Sequence, residues 1–436
     1  MGILTVSTKT ILQVALDFVD ASRALKAAEE AYAGGADWIE AGTPLIKAEG
    51  LNIVRMLKQR FPKATIVADL KTLDAGRIEV ECAAKAGAGV VNILAFAPDS
   101  TILEAIDAGR KYGALVSVDL IGHLDPVTRA QEAQELGADL VNVHCPIDLQ
   151  MRGLDPFDTL RAVASVVGIP VSVAGGIHSE SAADAVAAGA GIVIIGGAIT
   201  KSADAREATA QIRRALDEGV RVETRLYKRV TDINIREALE QVSTANLSDA
   251  LHRNGDLPGI LPILPGLRCV GPALTVRTAP GDWAKPVEAI DLAAPGDVIV
   301  IEAGGVTPVV WGELATHSAV GRHLAGVVID GAIRDTVEIR RLKFPAFAKL
   351  ISPTAGEPKG HGEIGVTVKL SGVKVNPGDW ILGDDDGVVV LPREKAAEYA
   401  NRAMNVLETE NRIRGEIHAG STLSSVTELL RWEKVG

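Results

Sequence analysis

Short apolar runs punctuate the first half of the chain at a regular interval. They begin near Ile11 (ILQVALD), Asp37 (DWIEAG), Thr65 (TIVADLK), Gly89 (GVVNILAF), Ala114 (ALVSVDL), Asp139 (DLVNVHC), Ile169 (IPVSVAGG) and Gly191 (GIVIIGG). They recur roughly every 25 residues, and between them lie Ala-, Glu- and Lys-rich stretches of helical character, such as 21–33 and 128–136. Continuous β-branched runs alternating with helices predict parallel strands buried on both faces. Eight such units in about 210 residues predict an α/β fold of the (β/α)8 or TIM-barrel type; an open doubly wound sheet of eight units would be unusually long. The units share no side-chain motif, which excludes a solenoid.

The pattern changes near residue 220. Residues 204–242 are polar, contain one glycine, Gly219, and lack proline. They read as the last barrel helix, a connector and the first helix of a second domain, giving boundaries of 1–215, 216–235 and 236–436. Beyond them the predicted strands are Ala273–Thr278, Asp297–Ala303, Gly326–Asp330, Ala346–Lys349, Val366–Leu370, Trp380–Leu382 and Val388–Leu391. Pro-Gly-Asp turns precede several of them (280–282, 295–297, 377–379). Helices are predicted over Glu288–Ala293, Glu313–His323, Thr336–Leu342 and Arg393–Glu410. Strands outnumber helices, so the second domain is a mixed α/β unit and not another barrel.

Composition narrows the function classes. The chain is 47% hydrophobic and 23% charged, as globular domains are. The net charge is −11 and neither half is basic, which excludes direct nucleic-acid binding and a broad anionic-membrane surface. Cys82, Cys145 and Cys269 are too few and too scattered for a disulfide framework or a zinc cluster. The N-terminus lacks the pattern of a secretory signal, and the most apolar window, 185–200, is short for a bilayer span. The expected location is the cytoplasm.

A TIM barrel carries its chemistry at the C-terminal ends of its strands. There the sequence places Asp17, Glu40, Asp69-Leu70-Lys71, Asp119, His144, Gly175-Gly176 and Gly196-Gly197. Asp69 and Lys71 are two apart and so point the same way on a regular strand. Glu40 on the neighbouring strand can converge with Asp69 on a hard cation, Mg²⁺ or Mn²⁺. The paired glycines let backbone N–H groups approach a phosphate. Each signal has an ordinary reading as well: an Asp as a helix cap, Gly-Gly as a turn, a buried His as a hydrogen-bonded structural residue. Asp119 is open between site and cap, and Asp17 nearly so.

The stretch Asp69-Leu-Lys71-Thr-Leu-Asp74 resembles the D-x-K-x-x-D motif of the orotidine monophosphate decarboxylase superfamily. Together with IEAGTPLIKAEG (39–50), VHCPIDLQ (143–150), VAGGI (173–177) and GGAIT (196–200) it is similar to the 3-hexulose-6-phosphate synthases. Keto-gulonate-phosphate decarboxylases share the frame, but an Arg they carry three residues after the strand-6 His is Ile147 here. Cys145-Pro146 stands where the synthases have Thr-Gly, which implies a stiffer loop. The resemblance implies a reversible, Mg²⁺-dependent aldol condensation of ribulose 5-phosphate with formaldehyde through an enediolate. It makes Glu40 and Asp69 metal ligands, Lys71 the cation at the enediolate, His144 the acid or base, and Asp17 the ion-pair partner that orients Lys71. Asp74 would reach the neighbouring subunit's site in a dimer. The alternative is a 3-keto-sugar-acid phosphate decarboxylase.

In the second domain Gly312-Glu313-Leu314 opens a predicted helix, and Arg334-Asp335 follows a strand. A glycine loop at a helix start can receive a carboxylate and an Arg fork can bind one; an ordinary turn with an exposed ion pair fits equally well. LSDAL (247–251), GPALTVRTAPGD (271–282), WGELATHSA (311–319), VIDGAIRD (328–335) and PGDWILGDDDGVVVLP (377–392) resemble the RraA-like family. That implies a swivelling β/β/α fold, often trimeric. Some of its members are oxo-acid aldolases whose Arg-Asp pair holds pyruvate enolate and metal, and others are protein-binding regulators of a ribonuclease. The whole chain is expected to be a homo-oligomer.

Overall fold

The computed structural model describes residues 9–224, 226, 229–230 and 234–427. It divides into two compact units. Among the described residues, the first unit holds the chain up to Gln150, from Leu154 to the connector, and again from Glu408 onward; the second holds 151–153 and the chain up to Leu407. The sequence reading had run the second domain on to 436.

In the first unit, eight parallel strands close into a barrel: β1 Ile11–Leu16, β2 Trp38–Ala41, β3 Thr65–Thr72, β4 Val90–Leu94, β5 Leu115–Asp119, β6 Leu140–His144, β7 Val171–Ala174 and β8 Ile192–Ile195. Closure is made by β1 against β8, with Ile11 opposite Ile192. Asp residues start several of the helices between them. Asp20 accepts from Arg23 N (3.0 Å), Asp125 from Thr128 N (3.1 Å) and Asp204 from Glu207 N (2.9 Å), so each satisfies an otherwise orphaned helix N–H.

Alternation along the strands sorts side chains into two populations. Leu12, Val14, Leu16, Ile39, Ile66, Val91, Val116, Val141 and Val193 face the helices and form the large outer core. A smaller inner cluster, with Trp38, Val67, Val90, Leu140 and Ile192, fills the barrel. The remaining inward positions are polar and buried: Gln13, Asn92, Ser117, Asn142 and Ser172. Ser172 Oγ bonds Asn142 Oδ1 (3.1 Å), whereas Ser117 Oγ is buried with no hydrogen-bond partner. This layer lies directly beneath the strand ends, and it is what an ordinary aliphatic barrel core would replace.

The second unit is built on a mixed sheet. Its strands are β9 Leu261–Pro262, β10 Cys269–Thr278, β11 Val298–Glu302, β12 Val309–Trp311, β13 Gly326–Ile333, β14 Ala346–Ile351, β15 Gly362–Ile364, β16 Val368–Leu370, β17 Val373–Val375, β18 Trp380–Asp384 and β19 Gly387–Leu391. The order is β19-β18-β10-β11-β13-β14-β9, with β12 on β13, β15 on β10 and a separate β16–β17 hairpin. Parallel pairing of β10, β11, β13 and β14 comes with helices 284–292, 313–321 and 336–342 between them. The predicted strand 366–370 begins at Val368 and ends at Leu370, where the chain turns back at 371–372 to pair Val368 with Val375. The predicted helix 393–410 runs on as Ala396–His418 after a short 3-10 turn. Among the described residues no helix is long and apolar enough to cross a membrane.

Asp282, in the first Pro-Gly-Asp turn, is 2% exposed and gathers four backbone N–H donors. Its Oδ1 accepts from Ala284, Lys359 and Gly360 (3.0–3.2 Å) and its Oδ2 from His361 (2.8 Å). Burial works to raise its pKa, but these donors outweigh it and hold the carboxyl below its ordinary value. A lowered folded pKa gives stability that is present above the ordinary carboxylate range and lost as pH falls through the folded value. Asp282→Ala is expected to destabilise the second unit by about 2–3 kcal/mol, measured by urea unfolding, and to flatten this acid-side loss.

Candidate active site at the barrel mouth

The strand ends converge on one cluster. Asp119, the last residue of β5, is fully buried at 0% exposure. Its Oδ2 accepts from Lys71 Nζ at 2.9 Å and lies 3.3 Å from His144 Nδ1 at the end of β6, while its Oδ1 accepts from Ile121 N at 3.1 Å. Burial alone would raise this carboxyl; the hydrogen bond and charge of His144, with Lys71, reverse that and hold it down. Lys71 also pairs with Asp69, at 3.0 Å to Oδ2 and 3.2 Å to Oδ1. Burial opposes the ammonium charge, yet Asp119 and Asp69 together raise its pKa above the ordinary lysine value.

The spacing argument for Asp69 and Lys71 meets a local exception. The β3–β4 register shifts between Asp69 and Thr72, and Lys71 itself has φ 50°, a left-handed conformation costly for a side chain with a Cβ. The bulge turns the lysine across the mouth to β5. That corrects one expectation: the carboxylates that pair with Lys71 are Asp69 and Asp119, and Asp17 is not among its ion-pair partners. Asp17 is solvent-accessible and sits between two glycines. A Cβ on Gly42 would lie 2.2 Å from its Oδ1, and one on Gly196 would lie 3.6 Å from its Oδ2. The surrounding protein, and then the Asp69 charge, raise its pKa.

Asp69 is further held by Thr43 Oγ1 (2.8 Å to Oδ2) and Asn92 Nδ2 (3.4 Å to Oδ1). Glu40, on β2, is 5% exposed and accepts from Gln13 Nε2. Burial first, then the charges of Asp69 and Asp17, push its carboxyl well above the ordinary range. Repulsion of this kind is what a bound divalent cation relieves, and carboxylate oxygens are the donors a hard cation prefers. Among the described residues no group of three His, Cys, Asp or Glu side chains forms a ready cage. Glu40 and Asp69 stand on the paired strands β2 and β3 and offer the carboxylate oxygens a divalent cation prefers.

Gly175 and Gly176 have φ 110° and 72° at the end of β7, and Gly196-Gly197 follow the adjacent β8. A Cβ on Gly175 would meet Cys145 O at 2.5 Å, so the loops after β6 and β7 touch backbone to backbone. Lys201 Nζ lies 3.5 Å from where a Cβ on Gly197 would sit, which puts a cation against these loops. Asp74 is exposed, with Oδ1 on Ala75 N (2.7 Å), and stands apart from the cluster within the chain. The sequence reading left Asp119 unassigned and missed Gln13, Thr43, Asn92 and Lys201. A signal existed for two of them: Gln13 and Asn92 are the lone polar residues inside the apolar runs ILQVAL and VVNIL.

In the second unit Asp335 (φ 57°), two residues past β13, has the same left-handed conformation. Its Oδ2 accepts from Glu313 N at 3.2 Å and lies 3.3 Å from Arg334 Nε. The close fit requires Gly312, whose Cβ would lie 2.6 Å from that oxygen. Leu314 stands 78% exposed beside it. The predicted glycine loop and Arg-Asp pair are thus brought together, with Asp335 at the helix start.

Residues 10–212 match the family described as orotidine 5'-phosphate decarboxylase / HUMPS, and residues 244–390 match Aldolase/RraA. A 3-hexulose-6-phosphate synthase of Mycobacterium gastri is 41% identical over 205 residues, 47% of this chain and 99% of the relative. A crystal structure of 3-hexulose-6-phosphate synthase is 41% identical over 47% of this chain and 99% of that one, with a TM-score of 0.46. The RNA-processing inhibitor RraA from Thermus thermophilis is 30% identical over 34% of this chain and 92% of its own, with a TM-score of 0.32. Through its barrel the chain belongs to the orotidine 5'-phosphate decarboxylase/HUMPS family, and it is an aldolase-type lyase with an RraA-like region in the same polypeptide.

Proposed function

We propose that the barrel catalyses the reversible condensation of ribulose 5-phosphate with formaldehyde to 3-hexulose 6-phosphate. The observation that carries this reading is the continuous chain Asp69–Lys71–Asp119–His144 at the strand ends, facing the buried Glu40. In the forward direction a proton leaves C1 of the ketose phosphate. The C1 carbon then attacks formaldehyde, and the new oxyanion takes up a proton. His144, held by Asp119, is placed to move protons at C1. Lys71 supplies fixed positive charge beside the enediolate. Its raised pKa keeps it an ammonium ion, which argues against a Schiff base. A cation on Glu40 and Asp69 would add Lewis-acid stabilisation of the same negative charge. Gly175, Gly176, Gly196 and Gly197 would receive the phosphate, with Lys201 beside them. Ile147 speaks for the synthase over the keto-acid decarboxylase. Asp74, exposed at its loop, would complete the site of a second copy in a dimer.

For the RraA-like unit the Arg334–Asp335–Gly312 arrangement favours an oxo-acid lyase over a purely protein-binding regulator, since it places a guanidinium beside a helix start. Turnover of oxaloacetate with Mg²⁺, lost in Arg334→Ala, would support this; no turnover with any oxo acid would favour the binding module. A trimeric arrangement would belong to this unit.

Formaldehyde-dependent consumption of ribulose 5-phosphate by the full chain tests the main reading. Lys71→Ala is expected to lower kcat by about a thousandfold with unchanged circular dichroism, and wild-type turnover in that variant would sink the assignment. Asp119→Asn removes a negative charge from Lys71 and His144. The lysine pKa should fall toward its ordinary value, as followed by NMR of labelled lysine, and kcat should drop by about a hundredfold or more. Glu40 must lose its raised-pKa proton to ligate a cation, so Mn²⁺ affinity should be weak at acid pH and increase as pH rises through that value. Calorimetric titration at several pH values checks this, and EDTA should abolish turnover reversibly.

A further inference from the structure

A polar network outside the two sites joins residues 408–427 to the barrel. Arg412 is 8% exposed. Its Nη1 donates to Ser202 O (2.9 Å) and Ala203 O (3.2 Å), its Nη2 to Glu30 (3.2 Å to Oε2), and its Nε to Glu416 (2.9 Å). Arg23, on the same helix as Glu30, donates to Val426 O (2.9 Å) and pairs with Glu416 (3.5 Å). Val426 is itself buried at 5% exposure. Residues 408–427 therefore grip the barrel at two places: the helix that follows the Asp17 loop, and the backbone directly after Gly196–Lys201.

Three facts narrow what this grip does. Each nitrogen of the Arg412 guanidinium is taken by protein acceptors, so the group is committed to holding chain and not to binding a ligand. The carbonyls it holds come one and two residues after Lys201, the cation that lies against Gly197. And the Mycobacterium gastri synthase, 99% of which aligns with 205 residues here, has no length left for an equivalent segment. We infer that Arg412 is a positioning residue for the barrel reaction, clamping the Gly196–Lys201 loop in the form that receives the substrate's phosphate. The inference rests on the sugar-phosphate reading above. Charge-assisted bonds from Nη1 to two successive carbonyls, with the rest of the planar guanidinium held by Glu30 and Glu416, fix the position of a loop that would otherwise be solvated. Removing an interaction made equally in ground and transition states raises KM and leaves kcat, which is the behaviour expected of a loop whose contact with the phosphate does not change as C1 reacts.

The test uses the full chain with Arg412→Met and Arg412→Lys. In steady-state assays Arg412→Met is expected to raise KM for ribulose 5-phosphate about tenfold, with kcat within about twofold and inhibition by inorganic phosphate weakened in parallel. Arg412→Lys restores only part of this, because a single ammonium ion cannot hold the two carbonyls together with Glu30 and Glu416. Hydrogen exchange of amides 196–204 should be faster in both variants. Unchanged KM with unchanged exchange in Arg412→Met overturns the clamp while leaving the synthase reading intact. If the wild-type chain does not condense formaldehyde at all, the synthase reading fails, and exchange at 196–204 with and without inorganic phosphate still decides whether Arg412 positions the loop. Should Arg412→Met not fold, Arg412→Lys carries the test, and wild-type KM and exchange in it overturn the proposal.

Discussion

A carboxylate with no solvent exposure has to be neutralised, protonated or paired, and Asp119 is paired twice. One oxygen faces both the Lys71 ammonium and the His144 ring. Leaving a buried charge without its partner costs several kcal/mol, so these three residues stand or fall together. The pairing fixes where Lys71 points, and through Lys71 it fixes Asp69. Thr43 and Asn92 then hold Asp69 from the other side. Glu40 and Asp17 add further acidity, so the mouth carries more acid than Lys71 can balance. Burial first, and then that excess, displaces the Glu40 carboxyl upward.

Acids stand at the ends of β1, β2, β3 and β5, and glycine loops follow β7 and β8; the two sets meet where β1 pairs with β8, because Asp17 borders Gly196. Both units also have a non-glycine residue in the left-handed region at these clusters, Lys71 in the bulge of β3 and Asp335 just past β13. Non-glycine residues occupy that region at a cost, and such strain persists where surrounding contacts over-determine it. At Lys71 the over-determination is two ion pairs; at Asp335 it is the Gly312 contact and the Glu313 amide.

Much of this was legible in the residues. The eight-fold rhythm of apolar runs gave the barrel, because strands buried on both faces leave an unbroken signature. The rim residues followed from where those runs end. Asp119 escaped assignment because an Asp at a strand end is chemically indistinguishable from a helix cap until its neighbours are known. The Asp17 partner implied for Lys71 by the family resemblance is replaced by Asp119, because the bulge between Asp69 and Thr72, which has no sequence mark, turns the lysine toward β5. Gln13 and Asn92 were readable as polar interruptions of apolar runs. Nothing local tells that Arg412 bonds a backbone more than two hundred positions earlier. Short strands such as Val309–Trp311 and Gly362–Ile364 were also missed, since three residues carry no period.

The amide and hydroxyl layer beneath the mouth, Gln13, Asn92, Ser117, Asn142 and Ser172, has a consequence for how this enzyme tolerates change. Gln13 and Asn92 are at once part of the barrel's filling and direct supports of Glu40 and Asp69. Repacking the interior with aliphatic side chains, an ordinary route to heat resistance, would strip those carboxylates of their scaffolding. Durability and turnover thus draw on the same few positions, and gains in one have to be sought on the outer, helix-facing core.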